Sequence, residues 1–87
     1  MTNTDINNAH GETVASIGDI QNAIDNHKKV AQHLEQAAKY HIEAATHHQN
    51  GNHDRAAEST IKAHGNLIIG SELQRDNLKL HALLRPM

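Results

Sequence analysis

The chain has 87 residues, enough for one domain with a small core. It contains no Cys, which excludes disulfides and thiolate zinc sites, and its formal net charge of −2 offers nucleic acid or an anionic membrane no basic excess. Phe and Trp are absent and Ala supplies much of the apolar content, so we expect a weak core that gains stability from oligomerisation.

The start of the chain predicts neither a secretory signal nor a membrane span. Residues 1–26 contain no Lys or Arg and no apolar run of signal length. No segment approaches the roughly 20 apolar residues that a membrane span needs. A cytoplasmic location is therefore expected. Residues 1–12 (MTNTDINNAHGE) are rich in Asn and Thr, and we interpret them as a flexible N-terminal arm before a helical hairpin domain over residues 13–87.

A first helix is predicted from about residue 19 to residue 49, with Asp19 as its N-cap. Apolar and histidine residues recur there at alternating spacings of four and three, which is the pattern of one helix face. This first stripe consists of Ile20, Ile24, His27, Ala31, Leu34, Ala38, His41, Ala45 and His48. Ala23, Val30, Ala37 and Ala44 widen it.

Residues 50–53 predict a tight turn. Asn50 and Gly51 favour the left-handed conformation that ends a helix, and Asn52 or Asp54 can cap the next one. A second helix is predicted from about residue 54 to residue 84. Its stripe consists of Ala57, Ile61, His64, Leu67, Ile68, Ser71, Arg75, Leu78 and His81.

A break in the second helix is the alternative to a continuous one. Gly65 and Gly70 weaken its middle, and Ser71 with Gln74 has the spacing of a capping box. The continuous helix is preferred, because an isolated glycine costs a periodic helix only about 1 kcal/mol.

A turn this short makes the two helices antiparallel neighbours, so the predicted fold is all-α: a long two-helix hairpin that pairs into a four-helix bundle. A homodimer is the simplest such assembly, with a higher homo-oligomer or another protein as further possible partners. A helix on a membrane surface is disfavoured, because few basic residues flank the apolar ones. The candidate interface residues are Ile24, Val30, Leu34, Ile61, Leu67, Ile68 and Leu78.

Residues 41–65 (HIEAATHHQNGNHDRAAESTIKAHG) resemble a group of small uncharacterised bacterial proteins, rich in His and Ala, in which helices of the form A-A-x-H-H flank a G-[DN]-H turn. The likeness covers about residues 26–81. It implies a helical hairpin and no established activity or ligand, and this chain has fewer adjacent histidine pairs than the group. The turn is also similar to the junction within a tetratricopeptide repeat, but no second copy follows at a repeat period.

The nine histidines have two possible roles. His27, His41 and His48 lie on the first stripe and His64 and His81 on the second, and folding about the turn places His41 level with residues 61–64. Such an interior ladder could bind Zn, Ni or Cu, but neither H-x-x-x-H nor E-x-x-H spacing occurs. Hydrogen bonds that set the register of the helices are the preferred interpretation.

The turn offers a more local metal candidate, formed by Glu43, His47, His48 and His53. Its nitrogen and oxygen donors suit Zn, Ni or Cu, while a solvated polar loop would have the same composition. His41 and His64 are further candidate ligands.

No nucleophile elbow, phosphate-binding loop or paired acid motif is present in the sequence, so neither catalytic nor cofactor-binding residues are assigned and no enzyme is expected. The predicted function is a non-enzymatic oligomerisation or protein-interaction module. One alternative is histidine-based binding or buffering of Zn, Ni or Cu. A second is a pH-responsive assembly opened by histidine protonation.

Overall fold

The computed structural model describes residues 17–84, which form two helices and one turn. Helix α1 spans Ile17–Gln49 and helix α2 spans His53–Leu84. The all-α hairpin predicted from the sequence is therefore confirmed, with α1 beginning two residues earlier than expected and α2 one residue earlier. The predicted arm, residues 1–12, lies outside the described residues. Neither helix is long and apolar enough to cross a membrane.

Asp19 lies inside the first turn of α1, so its predicted place as the N-cap is wrong. At the third helical residue its carboxylate is near the positive end of the helix dipole, where an acidic side chain is stabilising. Asp19 therefore stabilises the start of α1 electrostatically but does not cap it.

The turn between the helices is a Schellman motif. Asn52 N–H donates to His47 O at 2.7 Å, and Gly51 N–H donates to His48 O at 3.0 Å. Gly51 has a φ of +78°, the left-handed conformation that glycine adopts at little cost. Asn52 O accepts the first hydrogen bond of α2, from Ala56 N–H at 3.0 Å. The turn predicted from Asn-Gly is therefore confirmed.

Helix α2 continues through both of its glycines, so the alternative with a break near Gly70 is wrong. Gly70 is buried where α2 crosses α1, and a Cβ at this position would meet His33 Cβ at 3.7 Å and Leu34 Cδ2 at 3.9 Å. These are ordinary van der Waals distances, so the helices are in contact at this level but glycine is not required there. Packing against α1 offsets the low helix propensity of glycine.

The two helices meet along a seam of small side chains spaced seven residues apart. Its members on α1 are Ala23, Val30, Ala37 and Ala44. Its members on α2 are Ala56, Ala63, Gly70 and Asn77. A strict seven-residue repeat is typical of helices that pack at shallow angles. The hairpin is thus closed by the residues expected only to widen the first stripe, and that stripe itself stays exposed.

Polar contacts across the seam set the register of the hairpin. His33 Nδ1 lies 2.8 Å from Asn66 Oδ1, and Ser59 Oγ donates to Glu43 Oε1 at 2.9 Å. These contacts confirm the alignment expected from folding about the turn. Hydrogen bonds across the hairpin, the preferred role of the histidines, are present: His33 bonds Asn66, and the Nε2 atoms of the stripe histidines His27 and His81 lie 3.3 Å apart. The stripe histidines are exposed or half-buried, however, so the predicted interior ladder is wrong.

Candidate interaction surface and histidine pairs

One broad side of the hairpin carries no charged side chain. Its residues follow the buried seam residues by one or four positions, with Ile20 and His53 continuing the pattern, and we call this side the uncharged face. On α1 the face consists of Ile20, Ile24, His27, Ala31, Leu34, Ala38, His41, Ala45 and His48. On α2 it consists of His53, Ala57, Thr60, His64, Leu67, Ser71, Gln74, Leu78 and His81.

All of these side chains are exposed except that of His81, which is half-buried. The Asp, Glu, Lys and Arg residues between 17 and 84 all lie elsewhere on the hairpin. On the opposite broad side, for example, Lys62 Nζ lies 5.7 Å from the centre of the Tyr40 ring. The hairpin therefore has one uncharged, histidine-bearing side and one charged side.

The uncharged face is large enough to be a protein interface. A helix of 33 residues is about 50 Å long, and two adjacent helices are about 20 Å wide, so the face covers roughly 1,000 Å². A standard interface buries about 800 Å² on each partner. Half of its residues are apolar, and exposed Ile and Leu side chains grouped on one face are typical of an interaction surface.

A pair of histidines lies at the open end of this face. His27 Nε2 and His81 Nε2 are 3.3 Å apart, and the ring centroids are 5.0 Å apart with an interplanar angle of 82°. His81 Nδ1 lies 2.8 Å from Asn77 O. A carbonyl oxygen only accepts, so His81 carries its hydrogen on Nδ1 and the neutral ring turns an unprotonated Nε2 towards His27.

A second pair lies at the turn. His48 Nδ1 and His53 Nδ1 are 2.7 Å apart, with ring centroids 5.0 Å apart. The two pairs thus mark the two ends of the uncharged face, while His41 and His64 lie on the face between them.

The residues predicted as a metal cluster at the turn lie on different sides of the hairpin. His48 and His53 are paired on the uncharged face, His47 is half-buried, and Glu43 accepts the hydrogen bond from Ser59 on the other side. Among the described residues, no three His, Asp or Glu side chains of one chain come close enough to hold a metal. Metal binding by these residues stays a prediction.

The predicted interface residues fall into three groups. Val30 is buried in the seam inside the hairpin. Ile61 and Ile68 are exposed on the outer side of α2, away from the seam and the uncharged face. Those on the uncharged face are Ile24, Leu34, Leu67 and Leu78.

The pairing of His27 with His81 was missed from the sequence, although both were placed on stripes. Folding about Gly51 puts the two residues within about one to two helical turns of the same height, which is too coarse to predict a contact between their rings. The seven-residue repeat of the seam could have revealed the pair. Ala23 and Asn77 both belong to this repeat, and His27 and His81 each follow one of them by four positions.

No protein-family model matches this chain, and comparison with the curated proteins and with the solved structures finds no match.

Proposed function

We propose that this chain is a non-enzymatic oligomerisation module that pairs with a second copy of itself through the uncharged face to form a four-helix bundle. The observation that carries the proposal is the face itself. It runs the length of the hairpin, exposes Ile and Leu side chains and contains no Asp, Glu, Lys or Arg. In a face-to-face dimer this surface leaves water, and the charged side chains stay at the outside.

A second copy suits the face because a two-fold interface uses the same surface on both partners. A charged surface that meets itself brings like charges together, whereas an uncharged one does not. Its area of roughly 1,000 Å² also exceeds what a standard interface buries on each partner.

A single hairpin has a weak core, and pairing would bury more apolar surface. Its seam buries mainly Ala and Gly, and no large side chain among the described residues is fully buried. Alanine removes little apolar area from water, so the seam alone stabilises the fold weakly. Covering Ile24, Leu34 and Leu78 adds larger side chains to the core.

Sedimentation equilibrium in EDTA at pH 7.5 tests the proposal with a matched pair of variants. Leu78 and Ile61 are both on α2 and are 70% and 71% exposed, but only Leu78 lies on the uncharged face. We expect a dimer for the wild type and for Ile61→Lys. Leu78→Lys should raise the dimer dissociation constant at least ten-fold, because it buries an unpaired charge in the interface.

A monomeric wild type would contradict the proposal. Equal weakening by Ile61→Lys and Leu78→Lys would show that the copies meet through another surface. Circular dichroism of both variants checks that the hairpin remains helical.

Six histidines on the same face favour a second candidate function, an assembly that dissociates in acid.

A further inference from the structure

We propose that each end of the paired uncharged faces binds one divalent transition-metal ion, of which Zn²⁺ is the model, through four imidazoles: two from one copy of the chain and two from the other. This inference rests on the proposed self-association, because within the described part of one chain only two imidazoles meet at each end. It involves a residue pair, His27 and His81, outside the cluster that the turn sequence suggested.

The spacing of the first pair fits a tetrahedral metal. Zinc binds imidazole nitrogen at about 2.0–2.1 Å, and tetrahedral angles then separate two nitrogen ligands by about 3.3 Å. His27 Nε2 and His81 Nε2 are 3.3 Å apart. Their ring centroids are farther apart, at 5.0 Å, so the two nitrogens are at the facing corners of the rings. A metal can therefore bridge them with little movement of either ring.

The environment of His81 is that of a metal ligand. Its Nδ1–H donates to Asn77 O at 2.8 Å, and a ligating histidine commonly donates its other ring N–H to a carbonyl in this way. The bond orients the ring and leaves Nε2 free to coordinate. His27 offers Nε2 after its hydrogen moves to Nδ1, a change of tautomer without net loss of a proton.

Asn77 gives a separate indication that a polar group enters at this end. It is 4% exposed, its Nδ2 donates to Ala23 O at 3.3 Å, and its Oδ1 has no hydrogen-bond partner among the described residues. Asn77 lines the same open groove as His27 and His81, with a volume of about 460 Å³. An unpaired buried carbonyl oxygen is unfavourable until a donor reaches it, and an apolar partner side chain supplies none.

The second histidine pair, at the turn, supplies the remaining imidazole ligands of the dimer. His48 Nδ1 and His53 Nδ1 are 2.7 Å apart, so these two exposed rings must separate by about half an ångström to share a metal. In a parallel pair of hairpins, like ends meet, and in an antiparallel pair the His27–His81 end meets the His48–His53 end. Both arrangements bring four imidazoles together at each end, so both predict two metals per dimer.

Native mass spectrometry of EDTA-treated protein titrated with Zn²⁺ at pH 7.5 measures subunit number and bound metal in one spectrum. We expect a metal-free dimer that takes up two Zn²⁺. The double variant His27→Gln, His81→Gln should retain one Zn²⁺ if the hairpins are parallel and none if they are antiparallel. His33→Gln is the control and should keep both ions, because His33 lies off the face and bonds Asn66.

The other outcomes separate the two proposals. A dimer without stoichiometric Zn²⁺, or one whose Zn²⁺ count is unchanged by the double substitution, overturns the metal site and leaves the self-association. A chain that is monomeric without metal and dimeric with it supports the metal site and overturns metal-independent pairing. A monomer under all conditions overturns both.

X-ray absorption at the zinc edge tests the ligands in the wild type, independently of how the variants fold. Four nitrogen neighbours at about 2.0–2.1 Å, with the scattering typical of imidazole, are expected. A shell of oxygen ligands would overturn the proposal.

Discussion

Ala63 is completely buried between the helices, where a leucine or isoleucine would be expected in an ordinary helical core. Five of its seven counterparts along the seam are alanine or glycine as well, and the other two are Val30 and Asn77. Small side chains let two helix backbones approach closely, so backbone and Cβ atoms make the contacts that large side chains make elsewhere. At this scale, size rather than hydrophobicity determines which residues face inward.

Ala63→Leu tests this role of size. The larger side chain has no space in the seam and must push the helices apart, so we expect the free energy of unfolding to fall by about 1–3 kcal/mol. Chemical denaturation at a fixed protein concentration measures the change. Ala82→Leu is the matched control, because Ala82 is exposed on the same helix and should change stability by less than about 0.5 kcal/mol. Equal effects of the two substitutions would show that the seam is loosely packed.

At the scale of the elements, both helices and the turn follow from local chemistry. Residues 19–49 and 54–84 were predicted as helices from their periodicity, and the observed bounds differ by two residues or fewer at each end. The turn is determined by Asn50 and Gly51, whose conformational preferences are local. The continuous second helix was preferred over a break at Gly70, because one glycine costs a helix only about 1 kcal/mol, and contact with α1 adds to the stability of the helix there.

Gly65→Ala and Gly70→Ala should each raise the free energy of unfolding by about 0.5–1 kcal/mol, because alanine favours the helix more than glycine does. A Cβ at Gly65 would meet nothing within 4 Å, and a Cβ at Gly70 would make ordinary van der Waals contacts with His33 and Leu34. Thermal unfolding followed by circular dichroism checks both. If Gly65→Ala stabilises the protein and Gly70→Ala destabilises it, then a Cβ at Gly70 lies closer to α1 than the 3.7 Å to His33 Cβ indicates.

At the scale of the whole molecule, the hairpin separates a charged side from an uncharged side. This separation depends on how each helix is rotated about its own axis relative to the seam, so neither helix alone defines the face. Helix α1 presents the complete first stripe predicted from the sequence. Helix α2 replaces Ile61, Ile68 and Arg75 of the predicted stripe with His53, Thr60 and Gln74.

Acidification should weaken the proposed dimer. The face carries two histidine pairs together with His41 and His64, and it carries no carboxylate that could pair with a protonated imidazole. Lowering the pH through the range in which imidazole generally takes up protons, around pH 6.5, would place unpaired positive charge in the interface, which is unfavourable in the dimer but not in the separated chains. The dimer should therefore be fully formed above that range and weaken as pH falls through it.

Sedimentation in EDTA at pH 7.5 and pH 5.5 measures this effect, with at least a ten-fold rise in the dissociation constant expected at the lower pH. The variant His33→Gln should behave like the wild type, because His33 lies off the face. An association constant that stays level between the two pH values would exclude the acid-dissociated assembly, the second candidate function.

The candidate site could be predicted only in part. The sequence identified Ile24, Leu34, Leu67 and Leu78 as interface candidates, and all four lie on the uncharged face. It also named Val30, Ile61 and Ile68 as interface candidates, and these lie off that face, because a stripe read from periodicity is broad enough to include neighbouring faces. Whether a second copy covers the face stays a prediction.

The amino-acid sequence by itself determined the two helices, the turn that joins them and their antiparallel alignment, because these depend on periodicity, on Gly51 and on the shortness of the connection. Only the tertiary structure decided which stripe closes the hairpin. Apolarity favours burying Ile20, Ile24 and Leu34, whereas close packing of two long helices favours the alanines beside them. Close packing prevailed within the hairpin, and the larger apolar side chains therefore lie on its surface together with the histidines.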